Sequence, residues 1–308
     1  MWILRACLIV AALGGASRLP AADPFEFKDG DRVVLLGSTL IEREQKYGYW
    51  ELMLTLRNKD KNVTFRNLGW SGDTVFGEAR NGFDESPKGF ERLVSLTKEL
   101  KPTVIVVCYG HNESFEGKAG VPKFTTGLEK LLDALAPIKA RVMLMSPTPF
   151  ENTGPVKDAE AKNSNLALYR DAMKGVAERW HLEFVDLFAC LLRARGVARS
   201  LTDNGMHLTK SGYLDSSVSF LAEGSIGQRR HLLPQYTEWA YSTEFAEFRT
   251  KIVEKNQLFF HRWRPQNETY LFGFRKHEQG KNATEVAAFD PLVARAEKEI
   301  AELKKAIK

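Results

Sequence analysis

Pro102-Thr-Val-Ile-Val-Val-Cys108, followed at once by Tyr109-Gly110-His111-Asn112-Glu113, decides how this chain folds. The run from Val104 to Cys108 is apolar without alternation, the pattern of a strand buried on both faces of a parallel sheet. Gly110 and its polar neighbours end the strand and place His111 and Asn112 in a loop. The same unit recurs in both directions. Upstream, Arg32-Val-Val-Leu-Leu-Gly37 ends in Ser38-Thr39, and Val63-Thr-Phe-Arg-Asn67 ends in Leu68-Gly69-Trp70-Ser71-Gly72-Asp73-Thr74. Downstream, Arg141-Val-Met-Leu-Met145 ends in Ser146-Pro147, and Leu182-Glu-Phe-Val-Asp-Leu187 supplies a fifth strand. Helical spacing is read over 42–57, 90–100, 128–135 and 163–180. Strands alternating with helices predict a parallel sheet covered on both faces, with ligands bound at the carboxyl ends of its strands. Polar motifs follow the strands at that edge.

The 308 residues suffice for one large domain or a domain with an appendage. Met1 to about Ala22 has Arg5, an apolar run from Ala6 to Leu13, and small residues before a cleavage point, the layout of a secretory signal peptide. That run is too short for a membrane span, which needs about 20 residues. An exported, soluble mature protein of the periplasm or medium is expected. Cys7 leaves with the leader, and Cys108 and Cys190 sit in apolar surroundings as buried thiols rather than a disulfide framework. No paired Cys/His cluster and no Gly-rich phosphate loop is present, so neither a metal nor a nucleotide cofactor is expected. The net charge is +5, and residues 251–308 hold twelve Lys/Arg against eight Asp/Glu, an excess of +4. That is too mild to point to nucleic acid.

A last polar stretch lies downstream of the fifth strand: Leu201-Thr-Asp-Asn-Gly-Met-His-Leu-Thr-Lys-Ser-Gly-Tyr213. Asp203-Asn204-Gly205 favours a tight loop, which would present His207 to a cleft. Acyl transfer needs a hydroxyl nucleophile, a His to take its proton, a group orienting that His, and donors aimed at the developing oxyanion. The strand ends offer Ser38 or Thr39 as the hydroxyl, His207 with Asp203 or Asn204, and Gly72 with Asn112 as donors.

These pieces, in this order over about residues 30–220, resemble the SGNH (GDSL-type) hydrolases. The resemblance rests on Gly37-Ser38-Thr39-Leu40, on Gly72 within Trp70–Thr74, on Asn112 within Tyr109–Glu113, and on His207 within Asn204–His207. It implies a flavodoxin-like three-layer α/β/α sandwich. It also implies an oxyanion hole from the nucleophile's N–H, Gly72 and Asn112, with His207 as base and no cofactor. Two positions depart from the family pattern. Thr39 stands where the nucleophilic Ser belongs, with Ser38 in the place of the Asp. Asn204 stands where the His-orienting Asp belongs, with Asp203 one residue earlier. Asp73 and His111 border these motifs as candidate ligand contacts. Glu42 and Glu44 suit a solvated first helical turn.

The sandwich should end near residue 220, giving residues 1–22 as leader, 23–220 as the hydrolase-like domain and 221–308 as an extension on or near the catalytic edge. Residues 256–280 of that extension are dense in aromatics, with Arg264 and Asn267 as candidate sugar contacts and Phe259, Phe260, Phe272 and Phe274 as candidate core. Phe289 to Ile307 reads as an amphipathic helix with Leu292, Ala296, Ile300 and Leu303 on one face. The arrangement is similar to exported, planctomycete-type bacterial members of the family. Two functions follow: an esterase removing a small acetyl-like group from a carbohydrate or related ester, or an SGNH scaffold with impaired catalysis that binds glycan or a partner protein.

Overall fold

The computed structural model describes residues 25–194, 200–222, 242–278 and 282–307. The expected leader and Cys7 lie outside them. Five parallel strands, β1 (Arg32–Gly37), β2 (Thr64–Asn67), β3 (Val104–Cys108), β4 (Arg141–Met145) and β5 (Glu183–Val185), form one sheet in the order β2-β1-β3-β4-β5. This is the flavodoxin-like order, with β1 and β3 adjacent at the switch point where such sheets bind ligands. Successive residues feed opposite cores. Val33, Leu35, Val104 and Val106 face one cluster, and Val34, Leu36, Ile105 and Val107 the other. That two-sided burial is why β1 and β3 read as almost unbroken apolar runs, while β2, Thr-Phe-Arg-Asn, alternates between half-buried and buried residues.

Helices α1 (Thr39–Tyr47), α2 (Tyr49–Arg57), α6 (Leu187–Ala194) and α7 (Lys210–Ala222) lie on the first face. Helices α3 (Ser86–Glu99), α4 (Gly117–Leu135) and α5 (Ala159–Arg179) lie on the second, completing three layers. The single helix read over 42–57 is two. Gly48, at φ 66°, breaks it, and the carboxylate of Glu44 then accepts from the backbone N–H of Trp50 at 2.6 Å in the first turn of α2. Glu44 is accordingly 1% exposed, not solvated, and burial pushes its carboxyl well above the ordinary range.

The extension contributes α8 (Thr243–Trp263), a helical turn at Glu268–Leu271, and α9 (Phe289–Ala306). Phe245, Phe248 and Ile252 of α8 enter the first core, while Phe259 enters the second. Helix α8 therefore covers the β2 edge of the sheet and joins both layers. Lys255, fully buried, donates to Glu51 of α2 at 2.8 Å, to the backbone carbonyl of Phe65 in β2 at 3.0 Å and to Asn256 at 2.7 Å. An open strand edge is thereby occupied. Helix α9 buries Val293, Ala296, Ile300 and Lys304, leaving Leu292 exposed, so its inward face is shifted from the one expected. Of the four Phe expected as core, Phe259 is buried and Phe260 partly so; Phe272 and Phe274 are exposed. Among the described residues, no helix is long and apolar enough to cross a membrane.

Candidate active site

Three strand-end segments and the His207 loop, which lies beyond α6, meet at the carboxyl edge of β1 and β3. Gly37 lets β1 end against β3: a Cβ there would lie 2.3 Å from the carbonyl oxygen of Cys108. Ser38 caps α1 in extended conformation, and Thr39 becomes its first helical residue. After β2, Asn67 donates to the carbonyl of Ile41 and accepts from the Gly69 N–H, while the Trp70 N–H bonds the carbonyl of Gly37. The chain then turns through Gly72 at φ 77°, and the Gly72 N–H donates to Thr39 Oγ1 at 3.1 Å. After β3, Asn112 Nδ2 donates to Ser38 Oγ at 2.9 Å and to the carbonyl of Asp73 at 2.7 Å.

Two buried acids hold these loops from beneath. Asp73, expected at the ligand, is fully buried, ion-paired with buried Arg80 at 2.6 Å and bonded by the Tyr109 hydroxyl at 3.0 Å. It braces the loop rather than facing the cavity. Glu113 accepts from the N–H groups of Val75 and Gly110, tying the second loop to the third. Burial outweighs those hydrogen bonds and raises its carboxyl to about 7. In the unfolded chain it titrates near 4.5. Between these values the folded state holds a proton that the unfolded state has lost, so this group's contribution falls as pH rises from about 4.5 to 7 and is level above. The stability of Glu113→Gln relative to the parent should therefore rise across that window, as urea titrations at pH 4, 5.5 and 7.5 would measure. A difference constant with pH would contradict this.

The His207 loop is closed by a bridge between Thr202 and Leu208 and by the Asp203 N–H to His207 carbonyl bond at 2.9 Å. Its anchor is Glu151, which sequence reading missed. This carboxylate, beyond β4, accepts from the N–H groups of Leu201 and Thr202 and from the hydroxyls of Ser200 and Thr202. Gly205, at φ 84°, passes so close that a Cβ would lie 2.6 Å from the Glu151 carbonyl oxygen.

The two candidates for orienting His207 separate. Asp203 turns to Arg43, with 2.6 Å between carboxylate and guanidinium. Asn204 takes the imidazole, its Nδ2 lying 3.1 Å from His207 Nδ1. The amide's orientation is set locally, because Asn204 Oδ1 accepts from the N–H groups of Met206 at 3.1 Å and His207 at 2.9 Å. With the oxygen so committed, Nδ2 donates to Nδ1. A neutral imidazole carries one ring proton, so that proton sits on Nε2. Burial first, and the nearby Arg43 cation second, hold the His207 pKa below its usual value, which favours the neutral ring.

Ser38, Thr39, Gly72, His111, Asn112 and His207 line one cavity of about 300 Å³, joined by Arg43 and by Phe115 and Met206. Burial lowers the pKa of His111 to about 4; its Nε2 is enclosed and has no protein partner, and its ring lies 4.5 Å from that of Phe150. Cys108 also lines the cavity, but burial pushes its thiol up and keeps it from acting as a thiolate. Arg264 and Asn267 lie elsewhere. Arg264 stacks on Trp70, 3.6 Å from the ring centroid, and pairs at 2.9 Å with Glu42, whose carboxylate accepts from the Ser71 N–H. Glu42 is thus a strut between α1, the second loop and the extension. Asn267 is exposed at the start of the Glu268–Leu271 turn.

Residues 33–214 match the model of the GDSL-like lipase/acylhydrolase family. No curated protein is significantly similar in sequence. Among solved structures, a gut microbial diltiazem-metabolizing enzyme aligns with a TM-score of 0.62 at 14% identity, covering 92% of this chain and 97% of its own. The acetylxylan esterase Axe2 from Geobacillus stearothermophilus aligns with a TM-score of 0.52 at 17% identity, covering 65% and 95%. An α/β hydrolase, LAE5, from the metagenome of Lake Arreo, Spain, aligns at 0.51 and 19%, covering 65% and 97%. At these identities the likeness is one of fold. The first alignment, by its coverage, takes in much of the C-terminal extension.

Proposed function

Because this chain belongs to the GDSL-like lipase/acylhydrolase family, we propose that it is an exported esterase that removes a small, acetyl-like acyl group, carried by a carbohydrate, through an acyl-enzyme on Thr39. The observation that carries the reading is the meeting of Thr39, Ser38, Gly72, Asn112 and His207 on one small cavity. Its volume of about 300 Å³ favours a short acyl chain. Thr39 is the attacking hydroxyl on two grounds. It is partly exposed where Ser38 is 6% exposed, and it stands at the N-terminus of α1, where the helix dipole favours a developing alkoxide. Its methyl group restricts χ1, a cost a Ser would not carry.

In this reading Thr39 Oγ1 attacks the ester carbonyl carbon as His207 takes the hydroxyl proton. The Gly72 N–H, the Thr39 N–H and Asn112 Nδ2 receive the oxyanion, with Asn112 exchanging its bond to Ser38 for one to the substrate. Collapse returns the proton to the departing alcohol. Water then attacks the acyl group, and Thr39 and a carboxylic acid are released. The carbohydrate part of the proposal draws support from the shared fold of an acetylxylan esterase, and export from the leader-like residues 1–22.

A second reading, a binding scaffold with impaired catalysis, is favoured by one observation. The Asn204 amide leaves the His207 proton on Nε2, the nitrogen that must be free to accept. The two readings separate on hydrolysis of p-nitrophenyl acetate by the chain lacking residues 1–22 and its His207→Ala, Thr39→Ala and Ser38→Ala variants. The esterase reading expects measurable turnover, lowered about 10²-fold or more in His207→Ala and Thr39→Ala and less in Ser38→Ala. No turnover, or turnover equal in all four proteins, would favour the scaffold.

A further inference from the structure

Beside the catalytic cavity lies a larger one of about 940 Å³, walled by the segment Gly82–Asp84, by Arg92 of α3 and by residues 264–276 of the extension. It shares no lining residue with that cavity but approaches the catalytic machinery at two places. Trp70, in its wall, stands two residues before Gly72, and Glu42, also in its wall, lies one helical turn after Thr39 on α1. Aromatic rings are open in it to an unusual degree. Phe83 is 84% exposed, Phe274 69% and Phe272 54%, and the rings of Phe83 and Phe274 meet edge to face at 6.0 Å. Such exposure costs stability unless a ligand covers the rings.

The remaining wall residues narrow the chemistry. Arg92 faces Asp84 at 3.7 Å and Glu268 at 3.4 Å, and Arg264 pairs with Glu42 at 2.9 Å. With Lys276 the walls hold three cations against three carboxylates, so neither a polyanion nor a polycation finds a net field to bind. An acyl chain would strip water from the same ion pairs without replacing its hydrogen bonds, which is unfavourable. A neutral chain of sugar rings meets both demands. Each pyranose lays a C–H face on an aromatic ring, and its hydroxyls reach the charged groups and Gln266 and Thr269 on the walls.

We propose that this groove binds several rings of a neutral oligosaccharide, the part of the substrate that lies beyond the esterified sugar. The proposal rests on the esterase reading for its link to catalysis but not for binding itself. The extension is then a substrate-holding device, with the Arg264–Glu42 strut fixing the groove to the oxyanion loop.

The test uses the chain lacking residues 1–22 and its Phe83→Ala and Phe274→Ala variants, whose rings are exposed and whose folding should be unaffected. Calorimetric titration with cellohexaose, xylohexaose and mannohexaose, all without acyl groups, should show binding of at least one by the parent and loss of about tenfold or more in each variant. Turnover of p-nitrophenyl acetate, which is too small to reach the groove, should be unchanged. If the parent binds none of the three, or the variants bind as tightly as the parent, the groove assignment is overturned. If a decanoyl ester is bound through Phe83 and Phe274 in their place, the groove takes acyl chains and the assignment is likewise overturned. Binding without any ester turnover would leave the groove standing and remove only the esterase reading.

Discussion

Replacing Asn204 with Asp is expected to raise turnover of an aryl acetate, by up to about 10⁴-fold. In a serine protease, the opposite change, from the orienting Asp to Asn, costs roughly that factor by stabilising the wrong imidazole tautomer. Here the geometry of that wrong tautomer is native. One Asn204 oxygen is held by the N–H groups of Met206 and His207, and Nδ2 is left to donate to His207 Nδ1. A carboxylate at 204 would keep both backbone bonds with one oxygen and accept from Nδ1–H with the other. The ring proton would move to Nδ1, freeing Nε2 to take the hydroxyl proton, and the negative charge would stabilise the imidazolium that forms. Asp203 does not substitute, because Arg43 holds it. The measurement is kcat/KM for the parent, Asn204→Asp, and Asn204→Asp with His207→Ala. The rise should vanish in the double variant. An unchanged or slower Asn204→Asp would mean that the amide is not what limits His207.

The second large effect concerns stability. Lys255→Ala should destabilise the protein by about 3–5 kcal/mol, the usual result of removing one partner from a buried ion pair. Three bonds are lost together, to Glu51, Asn256 and the Phe65 carbonyl, and the Glu51 carboxyl is left buried opposite no cation. Burial raises the Glu51 pKa even with Lys255 present, so removal of the ammonium would drive it toward the neutral acid. Exchanging both partners for apolar residues, Lys255→Met with Glu51→Leu, should recover most of the loss. Urea unfolding of the three proteins gives the comparison. A loss under about 1 kcal/mol in Lys255→Ala would show that α8 adds little to the sandwich.

The sheet was legible because the central strands, buried on both faces, leave apolar runs in the sequence, and the short β2 and β5 lie within the 63–67 and 182–187 segments read as strands. The polar blocks were legible because each follows a strand in an α/β sheet, which sends them to one edge. What escaped depends on partners distant in the chain. Glu44 has an ordinary place in an amphipathic helix, and only the turn at Gly48 brings the Trp50 N–H to it. Glu151 reads as a surface acid until the 200–202 backbone closes around it. Lys255 looks like one more cation on a charged helix, since its acid lies some 200 residues earlier. Phe272 and Phe274 illustrate the reverse: composition suggested core, but the extension buries its other face and leaves these rings on a groove. The family spacing already set Asn204 at the His-orienting position; what it could not show is the Arg43 contact that draws Asp203 away.

The proposed acyl-enzyme forms on Thr39. It is tested most directly by quenching a reaction with p-nitrophenyl acetate in acid within its first turnover and mapping acetylated peptides by mass spectrometry. One acetyl group is expected, on the Thr39 side chain, absent from Thr39→Ala and much reduced in His207→Ala. Turnover with acetyl found on Ser38, or with no acetylated residue in the 37–40 segment, would contradict it.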